Sequence, residues 1–202
     1  MFFDDEDREF FLSNLLFYSQ KHALGIASYC LMDNHTHLAV VPENPDSLSR
    51  TLKPVHMRYS EYLNKKFRRG GINWQGRFFS SPLNTSQSFS VFQYIGLKPI
   101  KARLVADPSQ YRWSSVRAHL NLAENELLTA NKYWLDLAHS ALEALGNIVI
   151  GNESSQDEEI YSTIERNVQM NLPVGCEKFI KALEKRTGLT LSDKARGRPR
   201  KG

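Results

Sequence analysis

Only two cysteines, Cys30 and Cys176, occur among the 202 residues, and they form no C-x-x-C pair. That excludes a disulfide framework and a cysteine zinc site, and it fits a reducing compartment. No run reaches the roughly 20 apolar residues that a membrane span requires. The opening residues, Met1 to Asp7, lack a basic segment leading into an apolar one, so the cytoplasm is the expected location and a membrane is not an expected partner. Internal repeats are absent. With 41% hydrophobic, 11% aromatic and 24% charged residues, the composition excludes wholesale disorder, collagen and coiled-coil rods and leaves a folded chain.

Net charge is only +4, yet it is unevenly placed. Residues 1–10 carry Arg8 against five acids, whereas residues 50–77 carry Arg50, Lys53, Arg58, Lys65, Lys66, Arg68, Arg69 and Arg77 against Glu61 alone. The end of the chain adds Lys194, Arg196, Arg198, Arg200 and Lys201 against Asp193. Two concentrated basic blocks suit a polyanion, because each phosphate contact releases condensed counterions; a solvated helix face and a loose tail are the plainer alternative.

Apolar spacing predicts an amphipathic helix over 4–24. Two short apolar runs, 26–32 and 35–41, flank Asp33-Asn34 and predict a β-hairpin. A second helix is predicted over 47–67, kinked or delayed by Pro54, then a break at Gly70-Gly71 and a strand over 74–83. A third helix starts at Ser86 or Ser88 and is stopped by Pro99. Composition predicts helix over 121–150, a linker or surface loop over 151–159, a helix over 176–187, and a disordered final ten residues.

His35-Thr36-His37 is the most informative triplet. Side chains at i and i+2 of a strand share a face, so two imidazoles there can share a metal ion; ordinary half-buried histidines are the alternative. Tyr94 falls in the third predicted helix, either as a core-edge residue or as a nucleophile. A metal-polarised phosphodiester beside a phenol makes a coherent site, giving a covalent phosphotyrosine.

The run Tyr29-Cys30-Leu31-Met32-Asp33-Asn34-His35-Thr36-His37-Leu38 resembles the strand motif of the HUH single-tyrosine transposases. Further matches follow in order: Leu48-Ser49-Arg50, Tyr59 to Asn64, Trp74-Gln75-Gly76-Arg77-Phe78, Tyr94-Ile95 to Ala102, Leu104 to Pro108, and Trp113-Ser114-Ser115. Together they are similar to the REP-associated tyrosine transposases over about residues 2–120, and the tail Arg196-Gly197-Arg198-Pro199-Arg200-Lys201 also recurs in that branch.

The resemblance implies an α+β fold, a ferredoxin-like central antiparallel sheet with helices packed on it. It divides the chain into a transposase domain over 1–120, a helical extension with an acidic loop over 121–170, and a C-terminal helix with a basic, AT-hook-like tail over 171–202. It further implies that His35 and His37 bind Mg²⁺ or Mn²⁺ and that Tyr94 attacks single-stranded or hairpin DNA, leaving a 5′-phosphotyrosine and a free 3′-OH. Such a protein cleaves and rejoins REP-like hairpins in DNA transposition, as a monomer or homodimer associated with the nucleoid.

Two departures stand out. Where the family has a carboxamide metal ligand four residues after the tyrosine, this chain has Lys98, whose ammonium has no lone pair to give; weakened metal binding is expected. Members also begin with one more strand, so a truncated start or a decayed gene is expected. Asp33 in place of a turn proline, and Thr36 in place of a bulky apolar residue, are milder. The rival expectation is a relic that binds hairpin DNA without cutting it. A zinc-stabilised regulator built on His35 and His37 explains neither the basic helix nor the later motifs. The DNA contacts expected are Arg50, Lys53, Arg58, Lys65, Lys66, Arg68, Arg69 and Arg77, with Arg196, Arg198, Arg200 and Lys201 from the tail. Tyr59, Tyr62, Phe67 and Trp74 are available to stack on bases, although aromatics at helical spacing are more simply core.

Overall fold

The computed structural model describes residues 1–147 and 155–192. Helix α1, Asp5–Lys21, begins where Asp4 Oδ1 accepts the Asp7 amide at 3.0 Å. Three acids in its first turn oppose the positive end of the helix dipole. The expected hairpin follows as strands β1, Leu24–Leu31, and β2, Thr36–Pro42, antiparallel with Cys30 opposite His37 and a register shift between Ile26 and Ser28. Arg8 donates to Asp33 Oδ1 at 2.6 Å, so Asp33 ties the turn to α1.

Helix α2, Ser47–Lys66, runs through Pro54 and packs on α1. Between them lies an aromatic core. Tyr59 is fully buried and its hydroxyl donates to Met1 O, while Tyr62 stacks on Phe10 at 4.2 Å and donates to Asp7 Oδ1. These two rings are therefore core rather than platforms for bases. Trp74 is stacked on His56 at 3.9 Å and is also engaged.

The other layer is built on α3, Ser88–Lys101, which packs on both strands. Short α4, Val116–His119, and α5, Lys132–Glu143, lie behind it. Helix α6, Ser155–Gln169, also packs on α3, and α7, Glu177–Thr187, ends at Gly188 in the left-handed conformation, φ +69°. Beyond the free edge of β1, Leu31 N donates to Trp113 O and Ser115 N to Tyr29 O. The fold is α+β, and its sheet has two strands among the described residues.

Four local expectations fail. No strand forms over 74–83; only Leu83 bridges, in parallel, to Val174. Residues 121–131 are irregular because the Thr129 and Ala130 amides both turn to Ile26 O, each at 3.1 Å, and α5 starts only after the Asn131 cap. The acids at 157–159, read as loop, lie in the opening turns of α6, where they suit the helix dipole. Pro99 does not stop α3; its ring is buried and the helix continues to Lys101.

The α3–α5 contact passes over Gly96. A Cβ there would lie 2.4 Å from Leu142 Cδ2 and 3.1 Å from Leu145 Cδ1, and Leu142 is itself buried. Gly96→Val should therefore lower the unfolding free energy by about 2 kcal/mol through overpacking, read as a shift in urea midpoint. Unchanged stability would mean that α5 yields freely.

Candidate active site

The alternation of β2 places His35, just before the strand, and His37 on one face, where their rings meet edge to face at 4.8 Å. Tyr94 reaches the same place from α3, its ring 5.6 Å from that of His37 at 83°. Three residues that the sequence singled out, separated by up to 59 positions, thus converge.

Their environments differ. His37 is pushed down to about 3, first by burial and then by the Lys98 and His35 charges. It is a neutral imidazole at neutral pH, and its Nε2 is buried without a hydrogen-bond partner. His35 is lowered by the surrounding protein and by Lys98; its Nδ1 lies 2.6 Å from Asn34 Oδ1, which leaves Nε2 with the lone pair. An orphaned, neutral ring nitrogen beside a second imidazole is the donor chemistry of a divalent-metal site, so the pair fits two ligand positions. No group of three His, Cys, Asp or Glu is arranged to hold an ion among the described residues. Cys30, opposite His37, is pushed up to about 12 by burial, so it is a neutral thiol at neutral pH.

Lys98, one helical turn beyond Tyr94, holds its Nζ 4.0 Å above the Tyr94 ring and 3.3 Å from Glu165 Oε2. Burial lowers its pKa and Glu165 opposes that. Burial, and then the Glu165 carboxylate, raises the Tyr94 phenol well above its usual range. Tyr94 is 4% exposed. Tyr161 of α6 packs 6.2 Å from it, under the Nζ of Lys101 at 4.5 Å. Sequence reading missed Lys101, Tyr161 and Glu165. The i+4 and i+7 spacing of Lys98 and Lys101 from Tyr94 was a usable signal; nothing local marks Glu165.

The basic residues are dispersed. Arg50, Lys53, Arg58, Lys65, Arg68, Arg69 and Arg77 are exposed, but α2 packs with α1, in a different layer from α3. Arg50 lies 3.5 Å from Asp46, Arg58 donates to Tyr18 Oη, and Arg69 donates to Asn73 Oδ1. Lys66 is drawn into Asp4, Glu6 and Asp7, at 2.7, 3.4 and 2.7 Å. Arg196, Arg198, Arg200 and Lys201 lie outside the described residues.

Residues 1–97 match the family described as transposase IS200 like, a match consistent with a tyrosine transposase of insertion-sequence type and one that supports a transposase role with DNA as partner. The matched segment contains His35, His37 and Tyr94 and ends one residue before Lys98. No curated protein and no solved structure matches the chain. No helix among the described residues is long and apolar enough to cross a membrane.

Proposed function

Because residues 1–97 match the IS200-like transposases, we propose that this protein cuts and rejoins single-stranded DNA at REP-like hairpins with Tyr94 as the nucleophile. The observation that carries the proposal is the meeting of the Tyr94 ring with the His35–His37 pair across two elements of one layer.

In this reading Tyr94 Oη attacks phosphorus as the bond from phosphorus to the 3′ oxygen breaks. The phenol loses its proton, the departing oxygen gains one, and a 5′-phosphotyrosine and a 3′-OH result. Attack by another 3′-OH reverses the step and rejoins the strand without an external energy source. His35 and His37 would hold the cation, which when bound supplies Lewis-acid stabilisation of the phosphate charge. The exposed arginines and lysines of 50–77 and the tail cations would follow the rest of the nucleic acid, with Lys66 committed to its acids.

The test is a labelled hairpin oligonucleotide incubated with Mn²⁺. A denaturation-resistant DNA–protein adduct that needs Tyr94 supports the reading. Retarded migration with no adduct supports the binding relic instead, a reading favoured by Lys98 at a ligand position.

Lys98 and a bound cation repel. Lys98→Asn is expected to tighten Mn²⁺ binding by about tenfold, or about 1.4 kcal/mol, read from the free-ion EPR signal. Unaltered Mn²⁺ affinity would remove Lys98 from the neighbourhood of the ion.

A further inference from the structure

At the end of the hairpin remote from His35 the surface is concave. A recess of about 650 Å³ opens there, walled by Lys21 and His22 at the close of α1 and by Asn44, Asp46 and Arg50 at the entry to α2. Hydrogen bonds fix both walls: Glu43 N donates to Ala23 O and Thr51 Oγ1 to Tyr18 O between them, and Asn44 N donates to Ser47 Oγ within one of them. Positive charge is gathered in this recess. Lys21 and Arg50 are exposed and His22 is half-buried. Like charges drawn into one concavity repel unless an anion comes between them. The one acid among the lining residues, Asp46, lies 3.5 Å from Arg50, so a single carboxylate answers up to three cationic groups. Partial burial, then the Arg50 and Lys21 charges, hold His22 below its ordinary value, and Asp46 opposes them.

We propose that this recess seats a backbone phosphate of the DNA, in the stem of the hairpin rather than at the scissile bond. The Lys21 ammonium and the Arg50 guanidinium supply donors to the phosphate oxygens, and His22 adds another on taking up a proton. This rests on the reading of hairpin DNA as substrate and adds to it a second point of attachment.

The fold sets the distance between the two points. The pairs of eight-residue β1 run from Leu31–Thr36 beside the histidines to Leu24–Pro42 beside the recess, a span of roughly 20 Å. Successive base pairs lie about 3.4 Å apart along a duplex, so the span corresponds to about six of them. Residues 22–24 and 42–46 are where the chain passes between the sheet and the α1–α2 layer, which puts the recess at the end of the sheet rather than behind it. Tyr18 extends the basic surface: its ring stacks with His22 at 6.2 Å, and its hydroxyl accepts from Arg58 Nε at 2.9 Å. Arg50 and Arg58 thereby acquire a role in a layer away from Tyr94.

The experiment uses the full chain and two fluorescent hairpin oligonucleotides that share a cleavage region, one with a stem of about ten base pairs and one with about four. Binding is read by anisotropy over a series of salt concentrations. On the long stem, Lys21→Gln and Arg50→Gln should each weaken binding about five- to tenfold and lower the slope of log K against log salt by about one. On the short stem each should change affinity by less than about twofold, because no phosphate reaches the recess. Lys132→Gln, which removes an exposed cation from α5, should change neither. Binding of the long stem should also raise the pKa of His22, followed by NMR of its imidazole, and Arg50→Gln should suppress that rise. Equal losses on both stems, or a matching loss in Lys132→Gln, overturn the inference. Inorganic phosphate that shifts His22 as strongly as the long stem at equal concentration would mark a site for a free phosphate compound and overturn the anchor. An adduct without any dependence on stem length overturns the anchor and leaves Tyr94 as the nucleophile. Dependence on stem length without an adduct supports the anchor and removes the chemistry assigned to Tyr94.

Discussion

Tyr94→Phe is expected to abolish covalent capture of hairpin DNA, a loss of roughly 10³-fold or more in adduct yield, because no other atom of that side chain could form the proposed phosphate ester. Folding and DNA retention should survive. The ring keeps its contacts with His37 and Tyr161 and its place under Lys98, and the substitution removes only the hydroxyl. The comparison is therefore between proteins of similar stability and DNA affinity that differ in a single oxygen. Denaturing gels with end-labelled DNA measure it. An adduct of wild-type yield in Tyr94→Phe would sink the assignment, and Tyr161→Phe would then ask whether the neighbouring phenol, 6.2 Å away, carries the chemistry. The relic reading predicts no adduct in either protein.

Local geometry alone made the histidine pair legible, whereas Tyr94 was singled out through the resemblance. His35 and His37 share a face because strand geometry has a period of two, and the short turn at Asp33-Asn34 leaves little choice of partner strand. Tyr59 and Tyr62 could be seen on a helix, but whether they met bases or α1 depended on Phe2, Phe10 and Phe11, which no periodicity connects to them. The stretch 74–83 has aromatic residues suited to a strand, yet pairing needs a neighbour, and the edge it found is limited to Val174. Lys98 was legible as a departure from the motif that the chain resembles. That the departure is matched by Glu165, 67 residues later, could not be read from the sequence, because acids near the start of a helix and acids in a loop have the same composition.

Acid should unfold the metal-free protein well before its carboxylates are fully protonated. His37 is held down to about 3 by burial, then by Lys98 and His35, and His56 is held at about 4 by burial against Trp74 and Phe78. Both are below the value of about 6.5 that an unfolded histidine has. The unfolded chain therefore binds protons that the native chain refuses, and stability present above pH 6.5 is lost as the pH falls toward the folded-state values. Between pH 6.5 and 4.5 each imidazole contributes close to two units of proton linkage, so together they remove on the order of 5 kcal/mol, comparable with the whole stability of many domains. The other groups held below their usual range by ion pairs or amides, Asp4, Glu177 and Glu184, titrate at lower pH. Urea unfolding at pH 7 and pH 4.5 should show a large fall in midpoint. His56→Gln and His37→Gln should each lose stability at pH 7 yet remove a substantial part of the pH dependence, the rest lying with His35 and His119, which burial also lowers. A wild-type pH slope in both variants would place the acid sensitivity elsewhere. Mn²⁺ adds a second discriminator: if the imidazoles at 35 and 37 are ligands, the ion competes with protons for both and not for His56, so saturating Mn²⁺ should flatten the pH dependence in wild type and in His56→Gln much more than in His37→Gln, which has lost a ligand.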